Sequence, residues 1–188
     1  NGGMLRDKDL LKVIAKKHLV SIRVTITSLD EKLRRVMEPR TTTAKQRLRL
    51  IKELSDEGVR MGVMLGPIIP GLNDHETQRI LKSAKENGAS FSAYTFIRLN
   101  GAVKLLFHDW LYKTFPDRAD KVWHHIEDSH GGQVNDSRFG TRMRGEGNIA
   151  EMISQQYKKF KLLYGYTSDD WEFNTEEFKR PGEQGKLF

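Results

Sequence analysis

Residues 43–69, TAKQRLRLIKELSDEGVRMGVMLGPII, and residues 70–99, PGLNDHETQRILKSAKENGASFSAYTFIRL, decide the fold. In each, a helix-period stretch ends at a glycine and runs into an apolar strand. Leu48, Leu50, Ile51 and Leu54 fall near one stripe of a helix over Thr43–Glu57, and Gly58 is its stop. Ile80, Leu81 and Ala84 do the same over Asp74–Asn87, with Asn73 as the expected N-cap and Gly88 as the stop. The strand at 59–69 is apolar almost throughout, as one covered on both faces would be. The strand at 89–99 is apolar and aromatic, with Ser90, Ser92, Tyr94, Phe96 and Arg98 on one face. Helix–glycine–strand repeated twice means crossover connections, hence parallel strands.

Working toward the start of the chain, a strand at 20–28 alternates, with Ile22, Val24 and Ile26 opposite Ser21, Arg23, Thr25 and Thr27. A short helical pattern from Asp30 to Met37 and the sequence Glu38-Pro39-Arg40 follow it. Working toward the end, helices are expected over Val103–Thr114, Arg118–Asp128 and Ile149–Leu163, then a polar tail. The expected organisation is a β/α half-barrel over residues 1–115, a helical extension over 116–166 with an Arg/Gly-rich loop at 136–147, and a coil tail at 167–188. Three parallel strands are too few for a closed barrel. An open edge predicts either dimerisation or a covering segment.

Composition sets limits on function. Among the 188 residues there is no cysteine, which excludes a disulfide framework, a thiolate zinc site and a cysteine-held iron–sulfur cluster within them. A mean hydropathy of -0.61 and the lack of a long apolar run argue against a membrane-spanning helix. The chain starts Asn1-Gly2-Gly3 without an initiator methionine or apolar leader, which points to processing or to a longer polypeptide, and to a cytoplasmic protein. The net charge of +7 is concentrated in residues 1–60, which hold 15 Lys/Arg against 8 Asp/Glu. Such a stretch can meet nucleic acid, or it can be the solvated faces of two helices.

Ligands of parallel β/α folds bind at the carboxy ends of strands. Those ends are Thr25–Ser28, Pro67–Gly71 and Arg98–Gly101. Residues 136–147, DSRFGTRMRGEG, gather three arginines, three glycines and two hydroxyls, a set able to cradle a phosphate or carboxylate. The alternative is a surface loop whose arginines pair with Asp136 and Glu146. Arg40, just ahead of the Thr41-Thr42-Thr43 helix cap, could hold a carboxylate or simply face solvent. No residue spacing predicts a metal site.

Four segments in order carry a resemblance: VTITSLDEKLRRVMEPRTTT, GVMLGPIIPGLND, IRLNGAVKLLFHDWL and DSRFGTRMRGEG. Together they resemble the radical S-adenosylmethionine (SAM) enzymes, and among them the spore photoproduct lyase-like, DNA-repair photolyase branch. The resemblance implies a partial (β/α)6 barrel in which a CxxxCxxC loop holds a [4Fe–4S] cluster and SAM chelates its open iron. It implies that this chain is the C-terminal half, lacking strands one to three and the cluster ligands. Reductive cleavage of SAM would yield a 5′-deoxyadenosyl radical acting on an unassigned substrate, with nucleic acid a candidate. The fragment by itself would be inactive.

Carried over residue by residue, the resemblance puts SAM contacts at Thr25, Thr27, Arg40, Ile69 and Gly71. Pro67 and Asp74 stand where the family motif has Gly and Glu. Tyr94 and Arg98 would enter the lumen as catalytic candidates, together with Arg142. Arg138, Arg142 and Arg144 would hold substrate at the barrel mouth. The competing reading is a cofactor-free β/α module that binds nucleic acid or a protein partner.

Overall fold

The computed structural model describes residues 2–134, 143–167 and 171–177. Among them, β1 (Ser21–Ile26), β2 (Arg60–Ile68) and β3 (Phe91–Phe96) form one open sheet in the order β1-β2-β3, with both pairings parallel. Ser21 stands opposite Arg60, Ile26 opposite Leu65, and Leu65 opposite Tyr94. Between Leu65 and Ile68 the register slips by one residue, so the end of β2 bulges as it enters the loop.

The described residues form seven α-helices: α1 (Lys8–Lys16), α2 (Glu31–Met37), α3 (Ala44–Asp56), α4 (Thr77–Glu86), α5 (Ala102–Thr114), α6 (Ala119–Asp128) and α7 (Gly147–Leu163). Asp30 caps α2 through Lys32 N at 2.8 Å. Thr43 and Gln46 close a capping box on α3. The expected cap at Asn73 does not form. The chain first makes a 3-10 turn over Asp74–Glu76, and the Asn73 side chain turns inward. It accepts from Ile69 N at 2.7 Å and donates to Thr27 O at 2.9 Å and Pro67 O at 3.0 Å. Buried backbone groups at two strand ends need partners more than an exposed helix start does.

The two faces of the sheet differ. Ile22, Val24, Ile26, Met61, Val63, Leu65 and Phe96 face a layer made by α3, α4 and α7, where Leu50, Ile51, Leu54, Ile80, Leu81, Ala84 and Ile153 complete the core. Ile51, Leu54 and Leu81 are fully buried, and each contributes about 2 to 3 kcal/mol of transfer free energy. The other face carries the exposed Arg23 and Thr25 and the half-buried Met64, Ala93 and Thr95. Here Gly62 lies under Phe91, whose ring fills the place a Cβ would take.

A second core sits over the carboxy ends of the strands. Ile69, Leu72, Ile97 and Leu99 leave the sheet and pack on Leu33, Leu111, Val122 and Ile126, so α2, α5 and α6 cap that end. The outer edge of β3 is occupied at both ends: Met143 O accepts from Phe96 N at 3.0 Å, and Thr167 N donates to Ser90 O at 3.0 Å. At β1, the Arg47 guanidinium donates to Thr25 O at 2.7 Å. Of the expected coil tail, Trp171 and Phe173 lie at the amino end of the open face, where Trp171 rests on Arg60, and residues 174–176 lie beside Lys16–His18.

Candidate functional site

Glu38 is the centre of the polar machinery. It stands at the C-terminal end of α2, where Arg34 pins the turn that follows. The buried Arg34 guanidinium grips both carboxylate oxygens of Glu31, at 2.8 and 2.7 Å. Its remaining nitrogen donates to Glu38 O at 2.9 Å and Thr41 O at 3.0 Å. With the turn fixed, Glu38 Oε1 accepts from the Thr27 hydroxyl at 2.8 Å. Its Oε2 accepts from Arg47 Nη2 at 2.9 Å and from the Thr41 hydroxyl at 3.1 Å. Burial alone would push the Glu38 carboxyl up. The Thr27 hydroxyl, Arg47 and Thr41 outweigh it and hold the group below the ordinary carboxylate range, as an anion at neutral pH.

Glu38 lines two clefts. The first, of about 630 Å³, is walled by Arg23, Thr25, Arg40, Thr42 and Arg47. It is cationic, and the exposed Arg40 makes no hydrogen bond or ion pair among the described residues. The second, of about 460 Å³, is mostly apolar, with Pro67, Thr95, Ile97, Val103, Phe107 and Met143 on its walls. Its cation is Arg98, whose Nη1 lies 3.5 Å from Met143 Sδ and whose buried Nε has no partner among the described residues. Sharing Glu38 on their walls, the clefts suit an amphipathic ligand with an anionic group at one end and a less polar body at the other.

The predicted residues fare differently. Thr25 is exposed on the open face, and Thr27 is buried, its hydroxyl committed to Glu38 and 3.0 Å from Gly66 O. Ile69 backs the apolar cleft with no exposed surface. Gly71 lies against α6, where a Cβ would come within 3.3 Å of His125 Nδ1, and its N–H is taken by Asp74 at 2.8 Å. The sequence reading puts Tyr94 and Arg98 together in the lumen; the structure separates them. Tyr94 follows the alternation of β3 to the helix-covered face, where its ring centroid is 4.6 Å from that of Tyr157 on α7. Arg98, beyond the end of β3, reaches the apolar cleft. Arg144 is exposed, and Arg138 and Arg142 lie outside the described residues.

Glu38 and Arg47 are the residues that sequence reasoning passed over as site members. Glu-Pro-Arg marked the neighbourhood, but nothing in the spacing couples position 38 to position 47. No group of three His, Asp or Glu side chains that could hold a metal ion occurs among the described residues, and the chain has no cysteine, so its residues do not fit an iron–sulfur cluster.

Comparison with known proteins bears on this arrangement. Residues 1–84 match the family model of the radical SAM superfamily. The radical SAM match spans β1, β2, Glu38, Arg40 and Arg47, and ends within α4, ahead of β3 and Arg98. Uncharacterized protein Rv2578c of Mycobacterium tuberculosis and Uncharacterized protein Mb2609c of Mycobacterium bovis are each 29% identical over 118 residues, 62% of this chain and 35% of theirs. Uncharacterized protein ORF301 of Acidianus two-tailed virus is 34% identical over 67 residues, 36% of this chain and 22% of its own. The chain therefore aligns with about a third or less of these relatives' length. No solved structure gives a significant match.

Proposed function

We propose that this chain is the C-terminal part of a radical SAM enzyme and that the paired clefts around Glu38 take SAM. The observation that carries the reading is the overlap of the radical SAM match with the cationic cleft: residues 1–84 include Thr25, Thr27, Glu38, Arg40 and Arg47. SAM has the required shape, with a zwitterionic amino acid at one end and a purine nucleoside at the other. Arg40, exposed and without a partner among the described residues, would take the carboxylate; Glu38, held anionic, would face the ammonium or the sulfonium; Thr25 would meet the ribose. Ile69 and the apolar cleft would receive the adenine side, with Gly71 shaping the loop behind it. Bound SAM supplies a hydrogen-abstracting carbon radical when a reduced iron–sulfur cluster cleaves it. The cluster ligands would come from a segment outside these residues. What this chain supplies is orientation of SAM and exclusion of water from the apolar side.

Within that reading, the four ordered sequence segments support the spore photoproduct lyase-like branch, a DNA-repair role in the cytoplasm and a phosphodiester-bearing substrate. Arg98 would lie nearest that substrate, and Arg138, Arg142 and Arg144 would hold its phosphates.

Calorimetric titration of the chain with SAM tests the site. Arg40→Ala should weaken binding by about tenfold or more, the worth of a charge-assisted hydrogen bond. Equal affinity in wild type and Arg40→Ala would remove Arg40 from the site. The enzymatic reading is tested on a longer protein that carries the cluster ligands: reconstituted without oxygen and reduced, it should release 5′-deoxyadenosine from SAM, and none released would end that reading.

A further inference from the structure

The open face of the sheet is closed at one end by the chain itself. Phe91 starts β3 on that face, beside the exposed Arg23 and Thr25, yet it is only 3% exposed. Its cover is a stack. The Arg60 guanidinium lies 4.2 Å from the Phe91 ring centroid and 5.0 Å from that of Trp171, so the cation is held between two aromatic rings. Arg23 approaches Phe91 at 5.2 Å. Phe173 meets Trp171 edge-on at 4.5 Å.

The segment is also fastened from outside the sheet. Trp171 stacks on His18 at 6.0 Å, and Asn174 N donates to His18 O at 3.2 Å. His18 sits in the left-handed region at φ 59, a conformation a non-glycine residue keeps only where its surroundings hold it. One cation–ring contact, one aromatic stack and a backbone hydrogen bond thus tie four residues of tail to Arg60 and His18, while the Trp171–Phe173 contact braces the tail itself. Ser21, Arg23, Arg60 and Phe91 remain beneath them around a cleft of about 380 Å³.

We infer that residues 171–174 are a latch that shuts the amino end of the open face, so that solutes reach this face from the carboxy end, where the Glu38 clefts lie. The inference needs no cofactor and stands or falls separately from the SAM reading. A latch has a mechanical signature: it protects what lies beneath it and nothing further along the strand. The absence of native cysteine makes this readable with single cysteines. Ser21→Cys reports the latched end and Thr25→Cys the exposed middle of the same strand face.

With a soluble maleimide, Ser21→Cys should label about tenfold more slowly than Thr25→Cys, the protection expected of a small local closing free energy. Adding Trp171→Ala should bring the Ser21→Cys rate up to that of Thr25→Cys while leaving the latter unchanged. Equal rates in the parent, no response to Trp171→Ala, or equal acceleration of both sites would each overturn the latch. A second measurement covers loss of folding in Trp171→Ala. In a Trp110→Phe/Trp123→Phe background the remaining Trp171 should resist acrylamide quenching, and Arg60→Ala should expose it. Free quenching of Trp171 in that background would likewise overturn the inference.

Discussion

Thr27 shows how one hydroxyl decides the state of a site. It has one proton to give, and the structure sets it against two acceptors, Glu38 Oε1 at 2.8 Å and Gly66 O at 3.0 Å. Removing it with Thr27→Val leaves a half-buried carboxylate short of a donor and should cost about 1 to 2 kcal/mol in urea denaturation at neutral pH. The sign of the pH dependence follows from the depressed Glu38 pKa. The folded state binds the proton less readily than the unfolded chain, so the stabilisation is fully present above the ordinary carboxylate pKa and is lost as pH falls through the folded value. The gap between wild type and Thr27→Val should therefore narrow in acid, and a constant gap from neutral pH to well below the carboxylate range would contradict the assignment. Thr27 was visible in the sequence as the polar side of an alternating strand; its partner was not. Alternation shows which face a side chain takes, but the carboxylate it meets arrives from a turn 11 residues on, placed there by Arg34.

Among the elements, α1 packs Leu11 and Ala15 on the core and pairs two lysines with one acid. Lys8 and Lys12, one turn apart on α1, both reach Glu57 at the end of α3, at 2.7 and 2.6 Å. The Lys12 and Lys8 hydrogen bonds pull the Glu57 pKa down to about 2, while Lys8 is raised in return. A depressed carboxylate again loses its contribution as pH falls, here between the ordinary value and about 2. Glu57→Gln should speed amide hydrogen exchange in α1 at pH 7 and change little near pH 2; equal effects at both would show that the pair does not hold the helix. Exposure and salt keep the effect local. The existence of every α-helix from Asp30 onward was legible from apolar spacing and glycine stops. Their docking was not, because period alone leaves open what each stripe faces. Tyr94 is the clearest case: alternation marks the strand but not which side Tyr94 takes, since α7, which covers that side, lies more than 50 residues further on.

At the scale of the whole molecule, the C-terminal helix belongs to the same core as the sheet. Ala150, Ile153, Tyr157 and Tyr166 pack with Ile80, Leu81 and the inward residues of all three strands, and the Tyr157 hydroxyl lies 2.8 Å from that of Ser92. Ile153→Ala should cost about 2 to 5 kcal/mol and shift one cooperative transition followed equally by Trp110 and Trp123 fluorescence and by far-UV circular dichroism. Two separate transitions would mean that α7 folds apart from the sheet. The closed flank of β3 has a geometric corollary. Backbone groups of Met143 and Thr167 take the two ends of that flank, whereas at β1 a side chain, Arg47, takes Thr25 O, so a further strand adds more readily beside β1. A strand from the same chain, joined by a crossover, would add there in parallel; a second copy related by a two-fold axis would have to run antiparallel. Strand polarity at that one seam thus separates completion of a barrel from self-association, and cross-strand spin-label distances measured from β1 would read it directly.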